Sequence, residues 1–311
     1  MDSQLVLEKW PGIISTVIIG ASKQEGGYRS DPMKIGGQTV MPLLFKEGAI
    51  PNKPKIAFEI YDIAPFDFEQ ELTALYGEEI NDPLDWADVC VNKFKAELLC
   101  LKMQGTHPDF GNKSPESAAK FVSTLLSRVK VPLIIIGSGD DNKDNLIMPS
   151  CSEAAKGERC LLGCAVQDNY KTLVASVLAD GHNIIAESPI DINIAKQLNI
   201  LISDMGLSLE RIVINPTIGA LGYGLEYAYS IMERARLAAL SGDKTLASPF
   251  ICLVGQESWR TKEAKTSIEQ GIIWETLTAT SLIQSGADLL VMRHPKAAQI
   301  VSNYIETLFT G

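Results

Sequence analysis

From about residue 55 the chain alternates short, almost continuously apolar runs with amphipathic stretches, eight times over. The runs are Ile56–Asp62, Glu97–Gly105, Pro132–Gly139, Arg159–Val166, His182–Ser188, Arg211–Thr217, Pro249–Glu257 and Ala287–His294. Strands covered on both faces must be apolar at both alternating sets of positions, so these runs read as buried parallel strands. The stretches between them have helical spacing and caps. Ser114 and Pro115 supply an N-cap and a first helical residue. Asp191 caps a stretch that closes at Gly206, and another runs from Leu225 to Gly242. Residues 261–286 are long for one helix, and a break near Gly271 is expected. The last helix begins at Pro295.

Eight strand–helix repeats over about 255 residues match the size and order of an α/β fold closed on itself, a parallel (β/α)8 TIM barrel spanning 56–311. An open doubly wound sheet is the competing arrangement, but IAFEIYDIAPFD lacks the glycines of a phosphate fingerprint after the first strand. Residues 1–55 fall outside the repeat. There, STVIIGA and QTVMPLLF flank the Gly-rich segment KQEGGYRSDPMKIGG, which reads as an N-terminal β-hairpin extension. It is expected to cap the barrel floor or to grip a partner.

Composition narrows the function. A formal net charge of −10 repels phosphate backbones, so nucleic acid is not an expected partner. No apolar run approaches the roughly 18 residues that span a membrane, and MDSQLVLEKWPG has no secretory pattern. A cytoplasmic protein is expected. The six cysteines include no C-x-x-C pair, and Cys100, Cys160, Cys164 and Cys252 sit in strand-like runs. They read as reduced, buried thiols, with no zinc or iron–sulfur site built by this chain alone.

In such barrels the working face lies at the C-terminal ends of the strands. Those ends bring Asp62, then Gln104 to His107, then Ser138, Gly139 and Asp140, then Gln167, Asp168 and Asn169. Further round come Glu187 and Ser188, Asn215, Thr217 and Gly219, Gln256, Glu257 and Trp259, and Arg293 and His294. The rim is rich in amides and hydroxyls. It has no metal-ligand spacing and no G-x-S-x-G elbow, and His182 starts a strand, at the wrong end. Lys102 is the one lysine in a strand core; an imine-forming role is one reading, and an ion pair with a neighbouring strand's carboxylate the plainer one. Glu187 and Asp62 are candidate acid–base groups or buried carboxylates that hold the rim. Gly219, Gly222 and Gly224 lie between the sixth strand and its helix, where backbone can approach a ligand closely. His294 is a metal-facing or proton-donating candidate, with a hydrogen-bonded rim histidine as the alternative. Trp259 offers either a flat surface for a ring-shaped ligand or a core side chain.

Several longer segments together carry a resemblance. KIGGQTVMPLLFKEG, LKMQGTHPD, GERCLLGCAVQDNYKTL, GHNIIAESPIDINIAKQLNIL and NPTIGALGYGLEYAYSIMERARLAAL resemble the small subunit of corrinoid/iron–sulfur proteins, to which the delta subunit of archaeal acetyl-CoA decarbonylase/synthase complexes is related. The resemblance runs from about residue 34 to the C-terminus. It implies an α/β barrel paired with a large subunit that holds a 4Fe-4S cluster and most of a corrinoid (cobalamin) site. The barrel mouth covers the cofactor at the interface. The complex accepts a methyl group from methyltetrahydrofolate through a separate methyltransferase and delivers it to acetyl-CoA synthase, in the Wood–Ljungdahl route. Barrel geometry then nominates Gly139, Ser188, Asn215, Thr217, Gly219, Gly222, Tyr223, Gly224, Glu257, Trp259 and His294 as cofactor-facing residues. No catalytic residue or metal ligand is expected of this chain. The alternative is a pterin-binding barrel methyltransferase, with Asn215, Asp140 and Asn169 bonding the pterin ring.

Overall fold

The structure is a computed structural model and describes residues 7–219, 221 and 224–309. Eight parallel strands close a barrel in the order β10-β3-β4-β5-β6-β7-β8-β9. They are β3 (Lys55–Tyr61), β4 (Leu99–Lys102), β5 (Leu133–Ile136), β6 (Leu161–Ala165), β7 (Asn183–Glu187), β8 (Ile212–Asn215), β9 (Phe250–Cys252) and β10 (Ala287–Met292). Seven of the eight apolar runs contain one of them entirely, and β3 begins one residue before its run, at Lys55. The barrel closes where Leu289 to Met292 of β10 pair with Lys55 to Phe58 of β3. The β8–β9 seam is carried by one register pair, Ile214 with Phe250.

The connecting helices are α1 (Gln70–Ala74), α2 (Pro83–Asp88), α3 (Pro115–Arg128), α4 (Asp141–Ala154), α5 (Tyr170–Asp180), α6 (Ile192–Asp204), α7 (Leu225–Leu240), α8 (Val254–Ser258), α9 (Ile268–Ser285) and α10 (Pro295–Phe309). The expected caps are present: Ser114 Oγ accepts from Ser117 N–H at 3.3 Å, and Asp191 Oδ1 accepts from Asn193 N–H at 2.7 Å. No break occurs at Gly271. The polypeptide instead leaves α-helix between Trp259 and Ser267, where only a 3-10 turn (Ala264–Thr266) forms, and α9 runs unbroken through Gly271. Glycine is needed there for packing, because a Cβ would meet the Trp259 ring at 2.2 Å. Gly271→Ala is therefore expected to destabilise the fold by about 1–3 kcal/mol despite alanine's better helix propensity, a loss that urea denaturation would show as a lower midpoint.

The N-terminal hairpin is real but uses a different second strand. β1 (Thr16–Ile19) pairs antiparallel with β2 (Met33–Gly36), and QTVMPLLF forms bends and turns instead. Proline at 42 and a left-handed Leu43 (φ 65°) suit a turn better than a ladder. The hairpin plugs the barrel floor. Val17, Ile19, Met33 and Ile35 share one buried cluster with the barrel's inward side chains, among them Ala57, Cys100, Ile134, Ile185, Val213 and Leu289. Its backbone bonds to segments that precede strands: Gly20 N–H to Arg159 C=O at 2.8 Å and Ser15 N–H to Ala247 C=O at 2.7 Å. Arg29 fastens the hairpin's loop. It donates to Glu158 at 2.7 Å and to the Leu126 and Val129 carbonyls, both at 2.7 Å, at the C-terminal end of α3, where a cation is favoured. On the next seam Arg236 bridges Gln38 (2.9 Å) and Asp288 (2.9 Å).

Candidate functional site

The mouth is built from the loops after the strands, and β7 and β8 make its most constrained edge. Ser188 and Asn215 each precede a proline, which holds them extended. The two loops are then sewn together. Ser188 N–H donates to Asn215 C=O (2.9 Å), Ile190 N–H to Pro216 C=O (3.2 Å), and the Thr217 hydroxyl to Ser188 C=O (3.3 Å). Asn215 Nδ2 donates to Glu187 Oε2 at 2.9 Å, while its Oδ1 accepts from Thr217 N–H at 3.1 Å. Ile190 (φ 48°) and Thr217 (φ 60°) are β-branched residues in the left-handed region. Such positions cost on the order of 1–3 kcal/mol and persist only where surrounding bonds over-determine them. The Ser188 hydroxyl is fully buried and has no partner among the described residues. A Cβ on Gly219 would come within 3.0 Å of Gly224 Cα and of the Ile190 side chain. Gly222 and Tyr223 lie outside the described residues.

Elsewhere the rim's polar groups are largely spent on one another. Gly139 is left-handed (φ 95°), and its N–H goes to Asp144 at 3.0 Å. Asp140 caps α4 through Lys143 N–H at 2.8 Å, and Asn169, buried, accepts from Val166 N–H at 2.8 Å. The Asp62 side chain accepts from Gly105 N–H (2.6 Å) and from Lys113 (3.0 Å). Glu257 pairs with Arg260 at 2.8 Å. His182, at the floor end of β7, accepts from Cys160 N–H through Nδ1 at 3.1 Å.

Lys102 does not form the expected ion pair. Its Nζ donates to Gln256 at 2.9 Å, because the neighbouring strand's carboxylate, Glu59, is already held by Arg293. Burial lowers the Lys102 pKa, against the opposing pull of Glu59. Arg293 is itself fully buried. Besides Glu59 it donates to the Tyr61 hydroxyl (2.6 Å) and to Asp67 (3.2 Å), and it stacks over the Phe68 ring at 4.5 Å. Burial alone would lower its pKa, but Glu59, Tyr61 and Asp67 together outweigh this and the cation is held more firmly than usual. This network was not nominated from the sequence.

Trp259 and His294 belong to the interior and offer no open face. Trp259 is 2% exposed, its indole N–H goes to Glu275 at 3.0 Å, and His294 (3% exposed) stacks on it with ring centres 6.0 Å apart. His294 Nδ1 accepts from Lys296 N–H at 3.0 Å and so caps α10, leaving Nε2 buried and unpartnered among the described residues. Burial, then the Lys296 charge, push the His294 pKa down to about 4. Burial pushes Glu275 up to about 7, against three N–H donors, from Arg293, Trp259 and His294.

The two shifts act in opposite senses. Below pH 6.5 the unfolded chain protonates His294 but the fold does not, so this residue withdraws stability as pH falls towards about 4. Between pH 4.5 and about 7 the fold keeps the Glu275 proton that the unfolded chain loses, so that residue withdraws stability as pH rises. His294→Asn keeps a capping oxygen and removes the first effect. Relative to the native chain, the variant is expected to gain on the order of 2–3 kcal/mol as pH falls from 7 to 4.5, read from thermal melts across that range. Parallel profiles would contradict the assignment.

The rim's most available apolar feature was also missed. Phe66, in the loop after β3, and Phe110, in the loop after β4, stack with ring centres 4.0 Å apart and an interplanar angle of 18°. They are 52% and 40% exposed, and the His107 ring lies 5.2 Å from Phe110. Apolar side chains in polar loops of a working face were the available signal. Among the described residues, no three His, Cys, Asp or Glu side chains form a group able to hold a metal ion. All six cysteines are free, five of them buried and Cys164 partly so. No helix among the described residues is long and apolar enough to cross a membrane.

By fold, the chain is a (β/α)8 barrel. It resembles dihydropteroate synthase from Clostridium difficile, solved in the presence of pteroic acid, with a TM-score of 0.59 at 13% identity, covering 85% of this chain and 100% of that one. A Yersinia pestis enzyme with a pterin–sulfa conjugate gives 0.58 at 13% identity, covering 85% and 97%. Sequence goes further. Residues 16–310 match the model of the CO dehydrogenase/acetyl-CoA synthase delta subunit family, and the chain is a member of that family. Relatives include the acetyl-CoA decarbonylase/synthase complex delta subunits of Methanocaldococcus jannaschii (35% identical, 100% of this chain and 78% of that one) and Methanopyrus kandleri (34%, 96% and 76%). The Archaeoglobus fulgidus subunit is 33% identical over 97% of this chain and 70% of its own length.

Proposed function

We propose that this barrel is the corrinoid-covering subunit of a cytoplasmic methyl-carrier complex, and that it serves as a lid without performing the chemistry. Membership of the delta-subunit family carries the reading. The mouth supports it, because its carboxylates and amides are engaged in internal bonds, which suits an enclosing surface better than an acid–base site. A corrinoid, when bound, supplies the cobalt that carries a methyl group; the protein's part is enclosure. The residues present suit such a group: an orphaned Ser188 hydroxyl, the close-packed Gly219 turn, and exposed Phe66 and Phe110 rings. Thr217 and Glu257 would line the corrinoid, with Ser188 and the Gly219 turn behind them, and would exclude water from it. On this reading a large partner subunit holds the 4Fe-4S cluster and most of the corrinoid site. A separate methyltransferase loads the methyl group from methyltetrahydrofolate, and acetyl-CoA synthase receives it.

A pterin-binding methyltransferase is the second reading, favoured by the likeness to pterin-enzyme barrels. Against it, Asn215, Asp140 and Asn169 are all tied to their own loops. Calorimetric titration separates the two. The covering subunit alone is expected to show no saturable heat with methyltetrahydrofolate, whereas micromolar binding together with methyl transfer to free cobalamin would establish the methyltransferase.

A further inference from the structure

A broad hollow lies away from the mouth. A groove of about 630 Å³ follows the outer wall between α10 and the segment after α2, at the start of β3. In a closed barrel each strand's outer face needs a covering helix. Between β3 and β4 the chain provides the short α1, a 3-10 turn (Glu78–Asn81) and α2, which continues as a π-helical turn to Lys93, and Ile56 on the lower half of β3 is left partly exposed. A second groove of about 430 Å³ shares Lys55, Ala96 and Glu97 with the first and reaches the hairpin loop at residues 30–34. The two form one trough.

Its charge runs against that of the chain. Lys34, Lys53, Lys55, Lys93, Lys95 and Lys296 line it, against Asp31, Glu97 and Glu306, in a protein with 38 acidic and 28 basic residues. Lys53 is paired with Glu306 at 2.7 Å, and Lys93 is turned to the Leu75 carbonyl at 3.0 Å. Lys55, Lys95 and Lys296 form no ion pair among the described residues. The base of the trough is apolar, with Ile56, Phe94 and Ile305.

We propose that this trough is the docking site for an acidic segment of a partner protein, whose apolar side chains seat on the partly exposed Ile56 and Phe94 while its carboxylates meet Lys55, Lys95 and Lys296. Nucleic acid is the poorer fit, since the remaining surface is acidic and the Phe94 ring is already stacked on Phe58 at 6.2 Å. The trough runs along the outer wall, from Lys296 near the mouth end of β10 to Lys55 at the floor end of β3. This inference does not depend on the corrinoid reading.

The probe is a fluorescein-labelled peptide of three Glu-Leu-Glu repeats, followed by anisotropy on the full chain. Saturable, salt-sensitive binding is expected, weakened about tenfold by Lys55→Glu/Lys95→Glu/Lys296→Glu and about twofold by Lys95→Glu alone, with unchanged melting of the single variant. A Lys-Leu-Lys peptide is expected not to bind. Absence of binding, equal binding to native and triple-variant chains, or equal binding of the basic peptide would overturn the proposal. A single-stranded DNA that outcompetes the acidic peptide would overturn it in favour of nucleic acid, and self-association lost in the triple variant in favour of a second copy.

Discussion

Replacing Arg293 with methionine is expected to cost about 3–5 kcal/mol of stability, the largest effect of any single change considered for this barrel. The guanidinium is fully buried and is the only partner found for the equally buried Glu59 carboxylate among the described residues. Removing it strands a charge inside the barrel and frees Tyr61 and Asp67 from their shared donor. Methionine fills most of the volume, so the loss reports the uncompensated carboxylate and not a cavity. The double variant Glu59→Gln/Arg293→Met should recover much of it, because a neutral amide is far cheaper to bury than a lone charge. Urea denaturation at pH 7 measures both. A single variant within 1 kcal/mol of the native chain would show that the pair does not organise the barrel's upper interior.

The second large effect is expected on assembly. On the proposed covering function, Phe66→Ala/Phe110→Ala removes the stacked, half-exposed rings from the rim and should weaken attachment of the proposed large subunit by about 2 kcal/mol or more, roughly 30-fold in Kd. Aromatic anchors typically dominate such contacts, and neither ring belongs to a buried core cluster, so thermal melting should be little changed. Biolayer interferometry of the chain against its purified large partner reads the affinity. An unaltered Kd would place the contact elsewhere on the rim.

The barrel itself was legible because its strands are buried on both faces and therefore write continuous apolar runs into the sequence. The hairpin was harder. Its true second strand, Met33–Gly36, is short and ends in glycine, while the more apolar QTVMPLLF contains a proline that spoils a ladder. Gly271 was read as a helix stop, although it is a packing glycine under Trp259, and nothing local distinguishes the two. Rim positions could be named from strand ends, but not their engagement. Trp259 follows a short helix and His294 a strand end, yet Glu275 of α9 draws both inward. The Glu59–Arg293 pair joins residues 234 apart, and the Phe66–Phe110 stack joins two loops, so both depend on barrel closure.

The central claim is that this mouth covers a corrinoid held chiefly by another subunit. The most direct test is an ultraviolet–visible spectrum of the chain purified with its native partner, set against the same chain expressed alone. Corrinoid and iron–sulfur bands present only in the heteromeric sample are the predicted result. A colourless chain that forms no heteromer and binds methyltetrahydrofolate would contradict it.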